Sequence, residues 1–219
     1  MSIHLEREIQ KLKRKLLSLS ALIDEQLQLA VRAVIDRDEE LAREVRERDE
    51  EVDRLEVEVE EECLKILALH QPVAVDLRFI ISVLKINNDL ERIGDLTVNI
   101  SRKTLAFEGL LLVELSFELP DMSRKVQAML RDSLDALVNF DASLASEVCA
   151  RDNEVDAMKR TVRREVERVV CEHPEQAKSL LRLAAVTRNL ERIADLATNI
   201  AEDAIYLIDG KIVRHKDTE

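Results

Sequence analysis

The chain has 219 residues and a formal net charge of −12, with 36% charged residues, 2% aromatic residues and only three glycines and three prolines. So few turn formers and aromatics leave little material for strands and much for long amphipathic helices. The acidic balance excludes a nucleic-acid backbone as the main partner, because proteins that bind one carry a basic stripe.

The longest apolar run, residues 110–113, is too short to cross a bilayer, and the start MSIHLEREIQ lacks the apolar stretch of a signal peptide. A cytoplasmic protein is expected. Cys63, Cys149 and Cys171 have no CxxC spacing and cannot all pair, so they read as reduced thiols.

Leu5, Ile9, Leu12, Leu16, Leu19 and Ile23 step by threes and fours, which predicts a first helix running to about residue 36. A second helix over 41–69 carries the same spacing, with interruptions at Arg48 and Glu62. A third begins near Pro72, a residue tolerated in a first turn, and runs toward Phe107. The stretch EGLLLVELSFELP has no clean helical stripe and serves as a connector. Helices near 121–140, 142–172 and 175–209 follow, the last stopped by Gly210. The expected fold class is all-α: two tandem three-helix bundles of six long helices, occupying 1–107 and 120–219 with a linker at 108–119.

The two halves repeat one another. NDLERIGDLTVNI at 88–100 returns as RNLERIADLATNI at 188–200, RDEEVD at 48–53 returns as RDNEVD at 151–156, and His173 answers His70. Equivalent residues are 103 apart in the earlier region and 100 apart at the later motif, so three residues are missing near His173-Pro174. Two similar halves, rather than a short-period solenoid, follow from this spacing.

Within the repeat, acidic residues stand four apart: Asp49 with Asp53, Glu91 with Asp95, Asp152 with Asp156, and Glu191 with Asp195. On a helix such residues share a face about 5–6 Å apart and repel by a few tenths of a kcal/mol unless a cation intervenes. One pair would mean nothing in so acidic a chain, where a solvated face is the ordinary explanation. The second and third helices of each half each carry one, which places four carboxylates within reach of one site per half. Asn99 and Asn199, one turn further on, are weaker oxygen donors. Such a set suits hard or borderline cations, among them Mg, Ca, Mn, Zn and iron, and has charge enough for more than one ion.

At these residues the chain resembles the PhoU family of phosphate-signalling proteins. LHQPVAVDLRFIISVLKINNDLERIGDLTVNI at 69–100 and NLERIADLATNIAEDAIYLIDGKIVRH at 189–215 are similar to the family's third-helix signatures. The resemblance implies two related three-helix bundles and a regulator rather than an enzyme. It implies that the four acidic pairs hold metal ions, including multinuclear iron, and that the protein works as a homodimer. It also implies two partners: the ATPase subunit of a phosphate ABC transporter and a sensor histidine kinase, with membrane association only through them. Leu196 departs from the pattern, since many relatives have His after the second-repeat Asp.

Two other classes compete with this reading. A carboxylate-bridged di-iron enzyme needs Glu-x-x-His pairs aimed into a bundle core, whereas His4, His70, His173 and His215 lie outside the acidic motifs. A helical scaffold without metal is the other. Arg92 and Arg192, beside dense carboxylates, read as ion-pair partners more readily than as phosphate ligands.

Overall fold

A computed structural model describes residues 3–105 and 119–209. Among them every regular element is helical: α1 (Ile3–Asp36), α2 (Glu39–Glu47), α3 (Asp49–His70), α4 (Ala74–Leu105), α5 (Leu119–Asn139), α6 (Ala142–Glu172) and α7 (Ala177–Asp209), with one 3-10 turn at Pro174–Gln176. Residues 108–118 of the expected linker, the stop at Gly210 and His215 lie outside the described residues.

The repeat extends to the turns. Arg37 and Phe140, equivalent in the two halves, both take left-handed φ values, 55° and 57°, and end α1 and α5. The aspartate that follows each, Asp38 and Asp141, accepts backbone N–H bonds at 2.9–3.0 Å and caps the next helix. Gln71, at φ 45°, ends α3 in the same way. The chain then passes Pro72 and re-enters helix at Ala74, two residues later than the proline alone predicts.

The two interruptions expected in the second helix part company. Arg48 does divide it into α2 and α3. Glu62 does not: it lies buried within α3, where Lys11 and Lys65 each donate to its carboxylate at 2.9 Å. Burial alone would raise the Glu62 carboxyl, but the two ammonium groups hold it at about 2. Apolar spacing alone could not reveal a buried carboxylate held by Lys65 of its own helix and by Lys11 of α1.

Equivalent helices of the two halves meet at the centre, α4 on α7 and α1 on α5, while among the described residues α3 packs only on first-half helices and α6 only on the second half. One apolar core runs through both halves, with Leu12, Leu16, Leu19, Ile23 and Leu27 of α1 fully buried beside Leu90, Ile93, Leu130, Leu190 and Ile193. Each such side chain contributes roughly 1.5–3 kcal/mol on burial. A small satellite of Val162, Val166, Val169 and Leu180 fills the far end of the α6–α7 pair.

Candidate functional site

α3 and α4 lie side by side, and the face they share carries Asp49, Asp53, Glu91 and Asp95. The four carboxylates feel one another. Burial pushes the Asp49 carboxyl up, and Asp53, Asp95 and Glu91 push it further, with only Arg102 opposing. Glu91 is raised by burial and then by Asp95 and Asp53. Coupling between residues of two helices brings the sequence-predicted pairs into one cluster.

The second half repeats this on α6 and α7. Asp152 is raised by burial and by Asp156 and Glu191, against which the buried hydroxyl of Thr198 acts without making a close hydrogen bond. Asp195 is pushed up to about 6 by burial and by Glu191, Asp152 and Asp156, with Lys159 opposing.

The halves differ in one residue that lies outside the four acidic pairs. Glu56 sits on the cluster face of α3, where burial, Glu60, Glu91 and Asp53 raise its carboxyl. The buried amide of Asn87 orients it, donating to its side chain at 2.9 Å and to its backbone carbonyl at 3.0 Å. The equivalent of Glu56 is Lys159, which forms an ion pair with Glu191. The first cluster is therefore the more negative, and the second is partly neutralised by the protein itself. The repeat itself carries the signal, at position 56 against 159.

The repeated motifs also face each other across the α4–α7 contact. Arg92, Asp95, Leu96 and Asn99 line one side of a cavity of about 340 Å³, and Arg192, Asp195, Leu196 and Asn199 the other. Leu196 is buried there, as Leu96 is. The expected ion pair forms for Arg92, which reaches Asp89 at 3.5 Å, but Arg192 has no ion-pair partner among the described residues. Asn99 accepts a bond from Arg102 at 3.2 Å, so its amide oxygen is engaged.

His70 is the last residue of α3 and His173 caps α6, away from both clusters. Cys63, Cys149 and Cys171 are all free; burial pushes the first to about 12 and the second to about 11, which makes both poor nucleophiles. Among the described residues no three Asp, Glu, His or Cys side chains converge closely enough to hold a metal ion as they stand. No described helix is long and apolar enough to cross a membrane.

Comparison with known proteins follows the same repeat. The PhoU domain matches residues 16–104 and again 119–204. A phosphate-specific transport system accessory protein PhoU homolog of Pseudomonas aeruginosa is 39% identical over 210 residues, covering 95% of this chain and 86% of the relative. The PhoU homolog 1 of Thermotoga maritima is 37% identical over 210 residues, covering 95% and 90%. The crystal structure of PhoU from Pseudomonas aeruginosa superimposes with a TM-score of 0.88 at 39% identity, covering 94% of this chain and 99% of that one. That of the phosphate transport system regulatory protein PhoU from Streptococcus pneumoniae gives 0.85 at 28% identity, covering 95% and 99%. These relatives are named accessory and regulatory proteins, not enzymes. With both copies of the domain matched and relatives this similar over nearly its whole length, the chain belongs to the PhoU family.

Proposed function

We propose that the protein is an accessory regulator of a phosphate-specific transport system, acting in the cytoplasm as a homodimer. It couples the state of the transporter's ATPase subunit to a sensor histidine kinase and restrains the starvation response when phosphate is plentiful. The observation that supports this reading is similarity, across both halves, to proteins named as accessory or regulatory proteins of a phosphate transport system.

The acidic clusters are the regulatory elements in this proposal. Asp49, Asp53, Glu91 and Asp95 would hold metal in the first half, and Asp152, Asp156, Glu191 and Asp195 in the second. The donor set fits: oxygen ligands from two adjacent helices, among which Asp49, Glu91, Asp152 and Asp195 are raised by burial and then by neighbouring carboxylates, a repulsion that a cation would relieve. Bound metal, iron or another divalent or trivalent ion, supplies positive charge. Side chains of both helices would have to turn inward to hold it, which would tie α3 to α4 and α6 to α7. Lys159 competes for Glu191, so the second half binds more weakly.

The test compares wild-type protein with a quadruple Asp53→Asn, Asp95→Asn, Asp156→Asn, Asp195→Asn variant. Metal content is measured by plasma mass spectrometry, and a phosphate-starvation reporter is followed in cells lacking the native protein. The expected result is metal only in the wild type and a reporter silenced in high phosphate only by the wild type. Equal metal in a helical variant removes the clusters from metal binding; a reporter indifferent to the protein removes the regulatory role.

A further inference from the structure

The two hairpins meet one electrostatic problem in different ways. In the second half Lys159 of α6 reaches across to Glu191 of α7 and forms an ion pair, and the next residue, Arg160, reaches Asp156 at 3.1 Å. That cluster carries cations of its own. The equivalent positions in the first half are Glu56 and Val57, so what stands opposite Glu91 is a second carboxylate. The charged groups that act on Glu56 are Glu60, Glu91 and Asp53, all of its own sign. Neither Glu56 nor Glu91 forms an ion pair among the described residues.

The arginines of the first half do not fill this gap. Arg92 pairs with Asp89 at 3.5 Å and acts on Glu91 only from a distance. Arg102 donates to the amide oxygen of Asn99 at 3.2 Å and acts on Asp49, at the other end of the face, where the second half has Glu202 in its place. The contrast at Glu56 is therefore local rather than one of total charge.

A glutamate on a solvated face would turn away from such neighbours, but Asn87 holds this one in place. Its side-chain nitrogen donates both to the Glu56 carboxylate at 2.9 Å and to the Glu56 carbonyl at 3.0 Å. Asn87 is only 2% exposed, and the oxygen of the same amide is buried without a hydrogen-bond partner. A buried polar atom left unsatisfied costs free energy and calls for an explanation. Here it stands beside two unpaired carboxylates, and the three together are hard oxygen donors. The second half lacks the arrangement: Thr187 replaces Asn87 and donates at 3.0 Å to the Ala184 carbonyl of its own helix. We infer that Glu56 is a further metal ligand, positioned by Asn87, and that a divalent cation bridging Glu56 and Glu91 does for the first half what the Lys159 ammonium does for the second. The first half then holds one ion that the second does not, and α3 is tied to α4 at this level only when metal is present. The inference rests on the reading that the acidic clusters bind metal, and adds to it a ligand, the residue that orients it and a difference between the halves.

The experiment uses the full chain, stripped by a chelator and dialysed against manganese(II) alone. Bound ion is counted by plasma mass spectrometry, and circular dichroism follows helicity. Glu56→Gln keeps the shape of the side chain but removes its charge, and should lower the count by about one ion per chain. Lys159→Glu should raise it by about one. Asn87→Thr, the residue of the second half, should weaken the affinity for that ion about tenfold, a change that a merely structural tie between helices would not make. Glu60→Gln, one turn from Glu56, should leave the count unchanged. A second readout needs no metal. In stripped protein Glu56→Lys should raise the melting temperature by about 2–4 °C, by giving Glu91 the partner that Glu191 has, and Lys159→Gln should lower it by about as much. Equal counts in wild type and Glu56→Gln would overturn the inference while leaving metal on the four acidic pairs. So would a loss in Glu60→Gln as large as in Glu56→Gln, a Lys159→Glu protein that gains no ion, or a Glu56→Lys protein that melts no higher than wild type. A wild type that binds no manganese would remove the metal reading itself, and this inference with it.

Discussion

Two carboxylates give the protein opposite responses to acid. Glu62, held at about 2 by Lys11 and Lys65 against a usual 4.5, contributes stability that is full above pH 4.5 and lost as pH falls toward 2. Asp195, raised to about 6 from 3.8, binds its proton more tightly in the folded state, so its stabilising protonation is complete below 3.8 and lost as pH rises through 6. Asp49, Glu56, Glu91 and Asp152 are raised as well and act in the same sense as Asp195. Metal-free protein is therefore expected to gain thermal stability as pH is lowered from about 7.5 to about 5 and to lose it below about 4. Asp195→Asn should flatten the upper limb. Glu62→Gln should cost roughly 1–3 kcal/mol at neutral pH, because it weakens a buried charge-assisted pair of bonds. A melting temperature that only falls between pH 7.5 and 4 would contradict the repulsion assigned to the clusters. At this scale the sequence was legible where residues repeat, as with the four acidic pairs, and silent where a partner comes from another helix, as with Lys11 on Glu62 and Asn87 on Glu56.

Among the elements, α4 packs closely on α3 because Gly94 has no side chain. A methyl group there would come within 3.2 Å of Val52 Cγ1 and 3.9 Å of Asp49 Oδ1. Val52 is 1% exposed, so its room to move is small. The second half places Ala194 opposite Val155 and accommodates the methyl with both residues buried. Gly94→Ala is expected to change stability by no more than about 1 kcal/mol, since helix propensity gains what the contact loses. Gly94→Leu should cost roughly 1–3 kcal/mol by overpacking and, by displacing Asp49, should weaken metal uptake in the first half alone. Urea unfolding and metal content measure the two effects, and an unaffected first-half site in Gly94→Leu would show that the cluster does not depend on this close approach. Helix existence was readable from periodicity throughout, and α6 begins and ends where the spacing places it. Helix starts were less so: Pro174 opens a 3-10 turn before α7 begins at Ala177, because a proline fixes its own φ but not the hydrogen bonding of the turn after it.

At the scale of the molecule, two similar halves do not make two separate cores. Periodicity reports which face of a helix is apolar, not which helix covers it, so the meeting of α4 with α7 and of α1 with α5 lay beyond the sequence. The halves are also tied by polar contacts. Lys13 donates to the carbonyl of Val138 at 2.6 Å and lies over the rings of Phe79 and Phe140, 5.3 and 4.8 Å from their centroids. Arg131 reaches Asp24 at 3.1 Å. A core shared in this way predicts that the halves unfold together. The free cysteines provide a test, because Cys63 is buried in the first half and Cys149 is half-buried in the second. Pulse labelling of each thiol across a urea series, read by peptide mass spectrometry beside circular dichroism, should give coincident midpoints for Cys63, Cys149 and helicity. Labelling of Cys149 well before Cys63, with part of the helicity gone, would mean that the second half opens alone and that metal or partner binding on one half need not reach the other. Coincident midpoints would instead make α4 and α7 a shared spine, through which a change at either acidic cluster alters the stability of both.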